Sequence, residues 1–354
     1  MKPNYWAKIA VTMFCVIALM GCHGEIGYNS NTDYIIKTHK VKRVKASLGA
    51  KISMPALDVN EWILITPKPP EHGTQSLLKY QAFLNGNAAD IALTNELSPA
   101  KREMFLKRFN TDAQNNHGVD IRIEYEMELF SRELVPGKYG TPVEELDDVS
   151  KARYLQPSKT IDWDREEFRS WLAQNSELIK KPSQSDIAFA YKVFRFIAEK
   201  GKYSPENFAR ANKTPSLSCR SLTTDCVGFS SLFTAVMRAN GVPARTLAGR
   251  WASTGDSFHV KAEFWAKNTG WVPVDVTSAV LFKHEDKYFG RDGGDFITFH
   301  TDNDIIVDNI YWGSSELWGS QGWLYWVRAS GGSDAGKSFK DSWAVEEIKT
   351  DENK

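Results

Sequence analysis

The sequence predicts an α+β protein on three observations. Alternating apolar and charged residues mark strands before residue 150, two stretches of helical periodicity follow, and a cysteine-bearing helix then precedes a hairpin carrying a histidine and an aspartate. The 354 residues are 42% hydrophobic and 25% charged, enough apolar material for about two domains. Forty-four basic residues balance 44 acidic ones, so no net field draws the chain to nucleic acid, and it carries no phosphate-cradling loop. The 12 Trp, 12 Tyr and 19 Phe suit packed β structure.

The N-terminus reads as an address. Lys2 and Lys8 precede an apolar run from Ile9 to Met20, too short to span a bilayer and suited to a secretory signal. The run ends in Leu19-Met20-Gly21-Cys22, which resembles a bacterial lipobox. That resemblance implies removal of residues 1–21 and lipidation of Cys22, tethering the protein to a membrane of the cell envelope. His23, in place of Asp, implies the outer membrane and a periplasmic location by resemblance to enterobacterial sorting. A plain secretory signal or an uncleaved anchor are the alternatives. Processing leaves Cys219 and Cys226, either paired as a disulfide or free.

Residues 22–150 read as a β-rich domain. Its signals are Tyr34-Ile35-Ile36, the run Trp62-Ile63-Leu64-Ile65 closed by prolines, and the period-two alternation from Val119 to Leu129. Ser98 to Phe109 has helical composition and is expected to decorate a loop. The second domain spans residues 151–330 and opens with helices over Asp162–Leu178 and Gln184–Lys200, the latter with Ile187, Ala190, Val193, Phe194 and Ile197 on one face. Residues 331–354 are polar, begin Gly- and Ser-rich, and are expected to form a loose tail.

The segment from Thr223 to Gly241 reads as one helix. Thr224 or Asp225 can cap its start, Gly241 can take the left-handed position after its end, and Pro243 stops continuation. Cys226 falls in the first turn, where the helix's positive end favours a thiolate and backbone N–H groups can hold an oxyanion. Downstream, Phe258, Val260, Ala262 and Phe264 share one face of a strand, so His259 projects from the other. In the next strand Val272, Val274 and Val276 put Asp275 on the face opposite them. A hairpin centred near Asn268 sets His259 opposite Thr277 and diagonal to Asp275, within side-chain reach. A cysteine nucleophile, a histidine base and an orienting aspartate are the parts needed to open an acyl bond through a thioester. Asp275 also sits where it can cap a turn begun by Thr277 and Ser278.

The run Asp225-Cys226-Val-Gly-Phe-Ser-Ser-Leu-Phe, then Arg238-Ala-Asn-Gly-Val-Pro-Ala-Arg245, then His259, then Gly270-Trp-Val-Pro-Val-Asp275-Val-Thr277 resembles the core of the transglutaminase-like superfamily. The resemblance begins near Tyr154 and persists to Tyr288-Phe-Gly290. It implies a papain-like α+β core with the cysteine on a helix and the histidine and aspartate on strands, catalytic roles for Cys226, His259 and Asp275, a peptide or protein substrate, and no metal or organic cofactor. One departure stands out: Lys261 occupies a position where bacterial relatives often carry Trp. The acids Asp292, Asp295, Asp302 and Asp304 lack the full spacing of a calcium loop and read as turn residues. His284 and His300 stay unassigned. Two function classes follow: a membrane-tethered protease or amidase, with amine transfer as its variant, or a binding module that kept the fold.

Overall fold

The computed structural model describes residues 27–112, 116–140, 143–204, 213–252, 258–309, 311 and 313–349, so the secretory signal and Cys22 lie outside the described residues. The chain opens with β1 (Tyr34–Ser53), β2 (Leu57–Pro67), β3 (Gln75–Leu84), β4 (Asn87–Ala89), β5 (Ala92–Asn95), β6 (Glu103–Asn110) and β7 (Gly118–Pro136). Helices α1 (Asp148–Arg153), α2 (Glu166–Gln174) and α3 (Asp186–Lys200) follow, then β8 (Lys202–Tyr203), α4 (Pro215–Ser218), β9 (Thr223–Thr224) and α5 (Cys226–Ala239). Next come β10 (Ala244–Trp251), β11 (Phe258–Ala266), β12 (Gly270–Val274), α6 (Val276–Phe282) and α7 (Glu285–Tyr288). The order ends with β13 (Arg291–Asp292), β14 (Phe296–Thr301), β15 (Ile305–Asp308), β16 (Ser314–Leu317), β17 (Leu324–Gly332) and β18 (Ser338–Glu347).

The fold is α+β, with a mixed helix-and-sheet core and a β-rich N-terminal part. Strands β18, β1, β7, β3 and β4 form one antiparallel sheet, joined by β13, and β17, β2, β6 and β5 form another. Their shared apolar cluster takes Val44, Ala46 and Leu48 from β1, Trp62 and Leu64 from β2, and Ile121, Ile123 and Tyr125 from β7. The alternation read in 119–129 is real: Val119, Ile121, Ile123, Tyr125, Met127 and Leu129 are all buried. A third sheet, β12-β11-β10-β14, packs its apolar face on α5 and α3 in a separate core.

Two expectations change. Ser98–Phe109 is not helical: Lys101 takes a positive φ of 51° in a turn closed on Ser98, and β6 then pairs with β2 from Glu61↔Asn110 to Pro67↔Met104. Burying Met104 and Phe105 in a sheet overrides the helical composition. Nor is the stretch after 331 loose as far as it is described. β18 pairs with β1 from Val44↔Glu347 to Ser53↔Ser338, anchored by buried Trp343, whose Nε1 donates to the Trp251 carbonyl at 3.0 Å. Backbone pairing needs no apolar composition, so a polar strand at a sheet edge leaves little periodic signal. Because β13, β17 and β18 return to strands of the first part, the N-terminal sheets contain residues from both ends of the chain.

Among the described residues no helix is long and apolar enough to cross a membrane.

Candidate active site

Helix α5 begins at Cys226 because Asp225 caps it. Asp225 Oδ1 accepts from Val227 N at 3.0 Å and Gly228 N at 3.2 Å, while Oδ2 pairs with Lys213 Nζ at 2.8 Å. Gly228 is required by a close approach, since a Cβ there would sit 1.9 Å from Thr224 Oγ1. The helix stops as expected, with Gly241 at φ 77°. Its interior, Phe229, Leu232, Phe233, Val236 and Met237, is fully buried, whereas Cys226 at the N-terminus is only partly so. The thiol therefore meets both solvent and the positive end of the helix.

The hairpin registers as predicted. β11 and β12 pair from Ala262↔Val274 to Ala266↔Gly270, with Asn268 at φ 62° and Gly270 at φ 91° in the turn. The strand ends two residues early, however, at Val274. Asp275, expected on a strand, is instead the N-cap of α6, its Oδ1 accepting from Ser278 N at 3.0 Å. The two roles weighed for this residue coexist, since Oδ2 accepts from both Ser278 Oγ at 2.8 Å and His259 Nε2 at 2.9 Å. The Cys226 side chain lies close enough to His259 to act on the imidazole by hydrogen bonding and charge. Cys226, His259 and Asp275 thus form one continuous chain of contacts.

The electrostatics are those of an ion-pair site. Burial alone would lower the His259 pKa, but the Asp275 carboxylate and the contact with Cys226 outweigh it and raise it to about 9. Burial pushes the Asp275 carboxyl up, and the opposing pull of His259, with Lys261 and the α6 amide, holds it well below the usual carboxylate range. Trp251 stacks on the imidazole at 5.0 Å between ring centroids, and Phe296 meets it edge-on at 6.0 Å. Gln321 Nε2 donates to the carbonyls of His259 at 2.8 Å and Gly249 at 2.9 Å, fixing the strand beneath the imidazole.

The face of β11 that carries His259 is not wet. Lys261 and Glu263 follow it at two-residue spacing and are 5% and 0% exposed. Glu263 is held ionised by Arg245, His72 and Arg132, the last two from the N-terminal part. Lys261 Nζ pairs with Asp292 at 3.1 Å and lies 4.6 Å and 4.5 Å from the centroids of Trp251 and Phe296. Trp251 from the neighbouring strand thus lies against both His259 and Lys261.

Cys219 and Cys226 are both free. Burial raises the Cys219 thiol to about 11, and its Sγ contacts the Ser216 carbonyl at 3.7 Å. Three of the four acids considered for calcium are engaged internally: Asp292 with Lys261, Asp302 with Arg238 at 2.8 Å, and Asp304 with Thr160 Oγ1 at 2.9 Å. Among the described residues no group of three or more His, Cys, Asp or Glu side chains is placed to hold a metal ion. Sequence reasoning missed Trp251, Asp292 and Gln321 as partners of the site, and it placed Ser278 only in the turn that Asp275 caps. Only Ser278, three residues after Asp275, carried a local signal.

Residues 173–276 match the sequence model of the transglutaminase-like superfamily. The structure resembles that of a candidate cysteine protease from Cytophaga hutchinsonii, with a TM-score of 0.53 and 14% identity over 89% of this chain and 94% of that one. This likeness extends the shared fold beyond the core into the N-terminal sheets. Also similar are the periplasmic domain of TgpA from Pseudomonas aeruginosa (TM-score 0.34, 14% identity, 68% of this chain and 91% of that one) and Legionella pneumophila LapG (TM-score 0.30, 16% identity, 50% and 92%). No curated protein matches the chain in sequence.

Proposed function

We propose that this transglutaminase-like protein is a cysteine-dependent enzyme that opens amide bonds in a peptide or protein, using Cys226 as nucleophile, His259 as acid and base, and Asp275 as the residue that orients His259. The observation that carries the proposal is the contact chain from Cys226 through His259 to Asp275, with Asp275 fixed a second time by α6. The Cys226 thiolate attacks the carbonyl carbon, and the oxyanion lies at the amide-rich N-terminus of α5. Imidazolium gives its proton to the departing amine, leaving a Cys226 thioester. His259 then takes a proton from water as it attacks the thioester, and the acid and free thiol are released. With water as the second nucleophile the enzyme is a protease or amidase.

The apolar run before Cys22 supports export, and Cys22 supports tethering by lipid in the cell envelope, on the periplasmic face of the outer membrane. Incubation of the processed protein with a diverse peptide mixture tests the enzymatic reading. New peptide termini that vanish with Cys226→Ala are expected. Incorporation of a labelled amine without hydrolysis would reassign it as a transferase, and no product of either kind would favour a binding module.

A further inference from the structure

Lys261 is a buried charge that the contact chain from Cys226 to Asp275 does not use. In the register of β11 and β12, Ala262 faces Val274, and the next step along both chains puts Lys261 across from Asp275. His259 lies two residues further along the same face of β11. Side chains that face each other across a hairpin are neighbours, and here the two charges are near enough to act on each other. Trp251 and Phe296, whose ring centroids lie 4.6 and 4.5 Å from Lys261 Nζ, are the same two rings that pack on His259 at 5.0 and 6.0 Å.

The lysine is held in place. Its Nζ pairs with Asp292 Oδ2 at 3.1 Å, Asp292 Oδ1 accepts from Gly294 N at 2.9 Å, and β13, which carries Asp292, is paired to β7. Gly294 has no room for a side chain, since a Cβ would meet the Phe130 carbonyl carbon at 2.8 Å. Lys261, Asp275 and Asp292 are 5%, 5% and 6% exposed, so water screens their charges weakly. Stability alone does not explain a lysine here, because an apolar pair of similar volume often serves as well as a buried ion pair.

The proposed reaction gives the charge a use. Burial drives the Asp275 carboxyl towards its neutral form, and the groups that oppose this are His259 first and Lys261 next among the charges. Once the imidazolium has given its proton to the leaving amine, the opposing charge of His259 is gone. A protonated Asp275 would then donate to Nε2 instead of accepting from it. The imidazole's remaining proton would sit on its other nitrogen, and the ring could not take a proton from water. Resting on the reading of Cys226, His259 and Asp275 as the reacting groups, we infer that Lys261 is a positioning residue for this reaction. Its ammonium, set across from Asp275 and anchored by Asp292, is the second cation that keeps the carboxylate an acceptor for His259 Nε2 while the imidazole is neutral, which leaves His259 ready to act as base on the thioester.

Nitrogen-15 NMR of the processed protein labelled at histidine tests this, with His259→Ala identifying the His259 signals. The groups that face the ring are Asp275 from α6 and Cys226 from α5; Tyr288 faces Asp275, and Asp292, Asp275 and Asp295 face Lys261. In wild type His259 should titrate near pH 9 and, above that, carry its proton on Nε2. Lys261→Met removes a charge that repels the imidazolium and sustains Asp275, so the titration should move up by about one pH unit. If that variant does not fold, Lys261→Met combined with Asp292→Asn, which leaves no partner of the pair charged and unmatched, should move it in the same direction. An unchanged titration in a folded variant, or one moved to lower pH, would overturn the role of Lys261, because loss of packing alone predicts no such upward shift. Iodoacetamide labelling of Cys226 in the same samples separates this from failure of the underlying reading. Wild-type Cys226 no more reactive than Cys226 in His259→Ala would overturn that reading, and the role of Lys261 with it.

Discussion

Asp275 Oδ2 accepts a hydrogen bond from His259 Nε2 at 2.9 Å while Oδ1 of the same carboxylate caps α6 through Ser278 N at 3.0 Å. One side chain thus ties the orientation of the base to the start of a helix. Asp275→Asn keeps a capping oxygen but removes the charge, so it should fold normally and lose about 10²–10⁴ in kcat/KM. Asp275→Ala should lose as much activity and also about 1 kcal/mol of stability with the cap. Paired kinetics and denaturant unfolding separate the two effects.

The pH dependence follows from His259. Its pKa in the fold, about 9, lies above the ordinary value of 6.5. A raised value means that the interaction contributes its full stability below pH 6.5 and loses it as pH rises through about 9. Asp275, held low, contributes above the ordinary carboxyl range, and that part is lost as pH falls through it. Because the leaving amine needs the imidazolium proton, kcat/KM should decline above about pH 9, and Asp275→Asn should move this alkaline limb to lower pH. A pH–rate profile of both proteins reads it directly.

Lys261 and Asp292 form a buried pair beside the site, 5% and 6% exposed. Lys261→Met leaves Asp292 charged, buried and unmatched, and should cost about 3–5 kcal/mol. Lys261→Met with Asp292→Asn should recover most of the loss. Urea unfolding of the four proteins in the cycle checks the coupling.

Trp343 on β18 is 7% exposed and bonded to the Trp251 carbonyl, and its neighbour Asp341 pairs with buried Arg250 at 2.6 Å. Trp343→Ala should cost about 3–5 kcal/mol, and truncation after residue 337 should cost more by exposing the edge of β1. Thermal unfolding and light scattering of the two proteins measure it.

Much of the site was legible in the sequence because short-range rules position it. The cap at Asp225, the stop at Gly241 and the hairpin centre at Asn268 are local, and they carry Cys226, His259 and Asp275 with them. What covers a face is not local. The alternation in β11 separated His259, Lys261 and Glu263 from the apolar side, yet only the return of the N-terminal sheets shows that this second face is buried and ion-paired. The same holds for β6 and β18, whose strand state is imposed by partners distant in the chain. Trp251, which lies against His259 and Lys261, likewise comes from a neighbouring strand and carried no local signal.

The most direct test of the central claim is intact-mass alkylation of the processed protein by iodoacetamide near pH 6, comparing wild type with His259→Ala. Cys226 should be modified in wild type and at least tenfold more slowly in the variant, with buried Cys219 untouched in both. Equal rates at Cys226 in the two proteins would contradict the assignment of His259 as its activating partner.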